Sequence, residues 1–185
     1  MAKLGAQYPC FKPDDAGKGV VIGNLVTANL TVTLASGEIF GDDRMIEQLS
    51  VFSSGSLAME TVDMLDEVAA VVYGCTIEDG RVKYNINDSA PRGALAYYKV
   101  LNRDGVPFYQ GFYYPRVRAA LGNDNAQTRG NSITFQTTST TFTIFADDEG
   151  DWRETETFDT IEEAKKWVNK MCGIEQEEPE DPEDP

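Results

Sequence analysis

The residues best placed to do chemistry are acids. Gly41-Asp42-Asp43 sets two carboxylates side by side, and the stretch from Ala146 to Trp152 holds Asp147, Asp148, Glu149 and Asp151. A calcium ion needs a full shell of oxygen ligands, and no third acid at suitable spacing completes the first pair. The spacing of Asp147, Asp148 and Asp151 departs from the EF-hand order, with no helix-loop-helix frame around it. Both clusters are therefore expected to be polar turns between strands. The chain has no histidine, which removes Ser-His and Cys-His nucleophile activation and every His-containing metal site. Cys10, Cys75 and Cys172 are far apart and odd in number, with no CxxC, so they read as reduced thiols of a cytosolic protein. No catalytic set, metal site or cofactor site assembles, and the chain is not expected to be an enzyme.

Binding chemistry is equally sparse. Tyr97, Tyr98, Phe108, Tyr109, Phe112, Tyr113 and Tyr114 form an aromatic stripe of the kind that can stack nucleobases. Stacking platforms come with a positive groove, whereas this chain of 185 residues carries a net charge of −15. The stripe is expected to serve core packing and subunit contact. The final stretch, "EQEEPEDPEDP", holds seven acids and no base, leaving −8 for the remainder. Such a balance opposes a grip on nucleic acid, which needs clustered Lys and Arg. The start, "MAKLGAQYPC", lacks an apolar signal core, and the apolar run Val68 to Tyr73 is too short to span a bilayer. The protein is expected to stay in solution, so the sequons at Asn29 and Asn87 carry little meaning.

The elements that position these residues are mostly strands. Residues 1–20, rich in Pro, Gly and Asp, read as an irregular arm. From 24 to 34, Leu30, Val32 and Leu34 alternate with Asn29, Thr31 and Thr33, a half-buried strand. "SGEIFGDDRMIEQLSVFSSGSLAMETV" reads as two strands with intervening loops. At about Val62 the period changes. Before it, Leu57 and Met59 oppose Ala58 and Glu60. After Asp63, Leu65, Val68, Ala69 and Val72 fall at helical spacing, and Gly74 ends a helix running to Tyr73. "EDGRVKYNIND" gives a turn and a short strand. Two aromatic-rich strands flank "NRDG", an Asp-Gly hairpin turn. "NSITFQTTSTTFTIFADDEGDW" reads as a long β segment. A last helix is well specified: Thr160 and Glu163 fit a capping box, Ile161, Ala164, Val168 and Met171 form one face, and Gly173 stops it. Its early glutamates and later lysines, Lys165, Lys166 and Lys170, suit the helix dipole. The expectation is one domain over 1–173, mainly β (α+β), with six to eight strands and two short helices. The tail at 174–185 is too acidic and Pro-punctuated to pack and is expected to be disordered.

Three segments in order carry a resemblance: "EIFGDDRMIEQLSVFSSGSLAMETVDMLDEVAAVVYG", "NDSAPRGALAYYKVLNRDGVPFYQGFYYPRV" and "QTRGNSITFQTTSTTFTIF". Together they resemble the major tail protein (tail tube protein) family of long-tailed bacteriophages, especially those of Gram-positive hosts. In that family a "DD" turn precedes a strand-Gly-strand-helix unit, and a stretch like "APRGALAYY" opens the second sheet. A "T-x-G-x-x-I-x-F-Q-T" strand comes late, here Thr128, Gly130, Ile133, Phe135, Gln136 and Thr137. The likeness covers about residues 4 to 173. Some relatives add an immunoglobulin-like domain at the C-terminus, where this chain has the acidic tail.

The resemblance implies a two-sheet β-sandwich, barrel-like, with flanking short helices. It implies hexameric rings whose inner sheets join into one barrel, stacked into a siphovirus tail tube. The chain would then be a structural virion protein, in the host cytoplasm during assembly, meeting tape measure, tail completion and tail tip proteins. DNA would pass during ejection without specific binding, and no membrane is involved. A bore of that kind should be acidic or small and polar, with Lys and Arg absent or paired. Glu38, Glu47, Glu60 and Asp63 are the candidate lumen-facing acids, and alternation favours Glu60. Two other readings stay open: the tube of a contractile injection or secretion system, and a non-polymerising β-sandwich binding module at a tail tip.

Overall fold

The computed structural model describes residues 2–42, 44–121 and 137–174. The elements in chain order are β1 (Ala2–Pro13), β2 (Val20–Val21), β3 (Leu25–Gly41), β4 (Arg44–Thr61), α1 (Asp66–Tyr73), β5 (Thr76–Glu78), β6 (Arg81–Lys83), β7 (Arg92–Arg103), β8 (Val106–Ala120), β9 (Thr138–Phe145), β10 (Glu154–Phe158) and α2 (Ile161–Cys172). Strands hold 59% of the chain, so it is mainly β as expected. The ten strands among the described residues outnumber the six to eight expected, because β1, β2, β5 and β10 were not legible.

The hairpins follow from local turn chemistry. Asp104 and Gly105 both adopt positive φ, 54° and 88°. That is the type I′ geometry that matches strand twist, and the Gly105 N–H donates to Asn102 Oδ1 at 3.0 Å. Asp79 and Gly80 repeat the device between β5 and β6. Asp42, of the acidic pair, has φ 49° in the turn between β3 and β4, while Asp43 lies outside the described residues.

Eight strands form one antiparallel sheet in the order β2-β1-β7-β8-β9-β4-β3, with β10 also paired to β8. Its two ends approach, β1 lying against β3. The expected pairing of two sheets is corrected accordingly: a single curled sheet wraps the core, and the second sheet is only the β5–β6 hairpin. β8 makes this possible. Its first half pairs with β10 (Tyr109–Tyr113) and its second half with β9 (Arg116–Ala120).

The expected irregular arm at 1–20 is also corrected, since β1 pairs with β7 from Ala2↔Asn102 to Pro13↔Gly93. Register shifts between Lys3 and Gly5 and between Gln7 and Cys10 break its alternation, with Tyr8 at φ 59°. Bulges of this kind erase the two-residue period. Gly93 is required where the strands meet, because a Cβ there would lie 2.3 Å from the Lys12 carbonyl oxygen.

Two apolar layers result. Inside the curl, Phe11, Leu57, Met59, Leu95, Tyr97, Tyr114, Val117, Phe142 and Ile144 pack with Val72 of α1. Tyr97 stacks on Phe112 at 5.4 Å between centroids, so much of the aromatic stripe is core. α1 begins at Asp66 rather than Asp63 and ends on Gly74 at φ 71°. The later start has a cause: the Val62 N–H donates to the Asn24 carbonyl, holding the strand exit extended.

Outside the curl, α2 covers Cys10, Ala96 and Tyr98 with Ala164, Trp167, Val168 and Cys172. Thr160 caps it by accepting from the Glu163 N–H at 3.3 Å, and Gly173 closes it at φ 61°. The buried face is turned from the one expected: Trp167 and Cys172 are in it, and Ile161 and Met171 sit at its margin.

Candidate assembly surface

The β3–β4 hairpin has two different halves. From Leu25↔Thr61 to Val32↔Gly55 it belongs to the sheet, because β9 pairs with β4 over Gly55–Thr61. Beyond Gly55, β9 is no longer beside it, and β3 and β4 run on as a two-stranded ribbon to Gly41↔Arg44. The two strands and intervening loops expected here are thus one continuous hairpin. From Leu34↔Phe52 to the tip the ribbon is roughly 25 Å long at strand rise.

Burial follows the same division. Along β4, Leu57, Met59 and Thr61 are buried, alternating with exposed Ala58 and Glu60. Every residue from Arg44 to Val51 is exposed. Leu34, Ile39, Met45, Ile46, Leu49 and Val51 are 48–66% exposed. Register places Ile39, Leu49 and Val51 on one face and Leu34 and Ile46 on the other. Among the described residues only the root is anchored, where Phe52 stacks on Trp152 at 4.5 Å. A two-stranded ribbon alone in water is marginal, and covering each of these side chains is worth on the order of 1 kcal/mol. Its physical chemistry asks for a cover that the described residues of one copy do not supply.

Two further features adjoin it. The outer edge of β3 has no paired strand among the described residues, leaving a row of free backbone donors and acceptors. Among the described residues nothing covers the outer face of β3, β4, β9 and the end of β8, the bare face, whereas the same face of β1, β7 and β8 lies under α2. Register gathers small polar side chains there: Asn29, Ala58, Thr141 and Ala120 in one row, Thr31, Ser56, Thr143 and Arg118 in the next, Thr27, Glu60 and Ser139 beside them.

The four predicted acids do not converge. Glu60 is exposed on the bare face between Thr27 and Ser139. Glu47 sits opposite Ile39 on the ribbon, by register on the same face as Glu60. Glu38 pairs with Gln48, whose Nε2 donates to Glu38 Oε1 at 3.4 Å, and so lies on the opposite face. Asp63 is off the sheet in the β4–α1 connection, packed by its carbonyl against Gly23, where a Cβ would lie 2.5 Å away. It lines a cleft of about 600 Å³ with Gln7, Tyr8 and Lys165.

The bare face is small and polar rather than acidic. It carries Arg118, exposed, for which no described carboxylate supplies a salt bridge, whereas Arg116 is held by Asp148 at 2.9 Å. Sequence reasoning missed Arg118 because a bulge between Tyr114 and Val117 shifts the alternation of β8.

The second acidic cluster is a turn, as expected. Asp147 Oδ1 accepts the N–H groups of Glu149 and Asp151, at 3.0 and 2.8 Å. Among the described residues no group of His, Cys, Asp or Glu could hold a metal ion, and no helix is long and apolar enough to cross a membrane. Thr128, Gly130, Ile133, Phe135 and Gln136, and the tail from Glu175, lie outside the described residues. No protein-family model and no curated protein matches this chain.

Proposed function

We propose that this protein is a structural subunit whose copies assemble into hexameric rings, and that the rings stack as the tail tube of a long-tailed bacteriophage. The observation that carries the proposal is the β3–β4 ribbon, with exposed apolar side chains on both faces and no third strand among the described residues. A neighbouring copy is a natural cover, since every subunit of a ring or stack presents the same ribbon and the same receiving surface. The free edge of β3 can join the sheet of the next copy, which removes the exposed edge as a closed barrel does.

In this reading the bare face becomes the wall of the bore. Ser, Thr, Asn and Ala side chains give DNA little to hold, and Glu60 repels phosphate. The protein has no catalytic role and needs no cofactor. It assembles in the host cytoplasm with tape measure, tail completion and tail tip proteins and ends in the virion. One observation favours a second reading: Arg118 puts an exposed cation on that face. A tube of a contractile injection or secretion machine, which carries no genome, tolerates such a charge more easily than a DNA conduit does.

The test is negative-stain imaging and light scattering of the concentrated full chain. Rings or tubes are expected, with Leu49→Asp reducing them while leaving the folded monomer intact. Monomer alone at every concentration, together with its absence from tail tubes in purified particles, would overturn the proposal.

A further inference from the structure

Cys10 and Cys172 stand 162 positions apart in the chain and meet beneath α2. Both are fully buried, and both are free thiols. The Cys172 thiol donates to the Cys10 carbonyl oxygen at 3.4 Å, and both side chains belong to one buried apolar cluster. The backbone on each side is fixed. Cys10 pairs with Ala96 on one flank and Val21 on the other. The Cys172 carbonyl accepts the Gly19 N–H at 3.0 Å, and Gly173 ends the helix immediately afterwards. Cys75 belongs elsewhere, packed at the margin of the interior layer beyond α1.

We infer that Cys10 and Cys172 are a latent disulfide pair, closed by a small-molecule disulfide such as oxidised glutathione into a covalent staple between β1 and the end of α2. The inference does not depend on the tube reading. One protein thiolate attacks a glutathione sulfur, forming a mixed disulfide and expelling one glutathione thiolate. The second protein thiol loses its proton and attacks the mixed disulfide at the protein sulfur, expelling the second glutathione. Two S–H bonds of the protein become one S–S bond. Two electrons and two protons end on the two glutathione thiols.

The surroundings make the pair slow to react. The adjoining Cys172 thiol and burial push the Cys10 thiol far above its ordinary range, so little thiolate exists while α2 is seated. Reaction requires the last turn of α2 to lift. The staple therefore stays open in a reducing cytoplasm and closes slowly after release into an oxidising medium.

The experiment uses the full chain carrying Cys75→Ser, so that only this pair remains. Incubation with oxidised glutathione, with and without mild urea, is followed by intact mass and by melting. The expected product is a monomeric chain lacking two hydrogens, formed faster in urea. It should melt higher than the reduced chain by on the order of 10 °C, the gain being reversed by dithiothreitol. Cys10→Ala and Cys172→Ala, shown to be folded by their own melting transitions, should give glutathione adducts and no such gain. Persistent adducts on both cysteines, chain-to-chain dimers, or thiols still free after urea treatment would each overturn the inference. So would a closed disulfide that leaves the melting temperature unchanged or lower.

Discussion

The same two strands behave differently at their two ends. At its base the β3–β4 hairpin has a third strand, β9, and a buried face in which Leu57 and Met59 are essentially inaccessible. At its distal end it keeps the hydrogen-bond ladder and loses everything else: no third strand among the described residues, and no buried face. The difference lies in what surrounds the strands, since β-forming residues run through both. The base is completed by its own chain, whereas the described residues leave the ribbon uncovered.

The comparison breaks most easily at Leu57 and Leu49. Leu57→Ala opens a cavity in the interior layer and should cost about 2–5 kcal/mol in urea unfolding. Leu49→Ala, on the ribbon, should stay within about 0.5 kcal/mol. Equal losses at the two sites would mean that the ribbon is packed within the monomer.

Next in size is Gly111, on the face under α2. A Cβ there would lie 2.6 Å from the Trp167 ring. Gly111→Ala should displace α2 and cost about 1–3 kcal/mol, with a loss of near-ultraviolet ellipticity from Trp167. The ribbon ladder, remote from α2, should be unaffected.

Alkali provides a gentler contrast. Burial, with Tyr109 and Tyr8 nearby, pushes Tyr98 up to about 12, and burial likewise raises Tyr97 and Tyr114. Folded pKa values above the unfolded value of about 10 mean that the folded state holds its protons longer. Stability from these groups is complete below about pH 10 and falls as pH rises through the folded values. Thermal melts should lose stability above about pH 10. The hairpin from Leu25 to Thr61 contains no tyrosine, so its own contacts supply none of that dependence.

The smallest effect on folding is expected at Glu60. Glu60→Lys on the bare face should change monomer stability by no more than about 0.5 kcal/mol. On the tube proposal it would add a cation to every subunit along the bore. DNA ejection should slow, with partial relief by salt. Unchanged ejection from well-formed mutant particles would remove Glu60 from the wall, and failure to form tubes would move it to a subunit contact.

Much of the fold was legible where local chemistry and burial agree. "NRDG" announced its turn, Thr160 and Gly173 bounded α2, and Leu57, Met59 and Glu60 declared the two faces of β4. What escaped had no such agreement. β1 is bulged and held by its pairing with β7, and β10, "ETETF", is a polar strand with four exposed residues. Among the described residues the ribbon buries neither face, so it lacks the alternation that marks a strand against a core. The contact of Cys10 with Cys172 comes from the seating of α2 on β1 and β7, which no spacing along the chain encodes. Of the candidate site, Glu60 was legible from alternation. Its company was not: register sends Glu38 to the opposite face and brings in Arg118.

Amide hydrogen exchange of the full chain, dispersed and then assembled, tests the central claim most directly. In the dispersed protein, amides from Ala35 to Val51 should exchange rapidly while those from Gly55 to Thr61 stay protected. On assembly the ribbon should gain strong protection and the base should barely change. A ribbon already as protected as the base in the monomer, or one that gains nothing in the assembled state, would contradict the account.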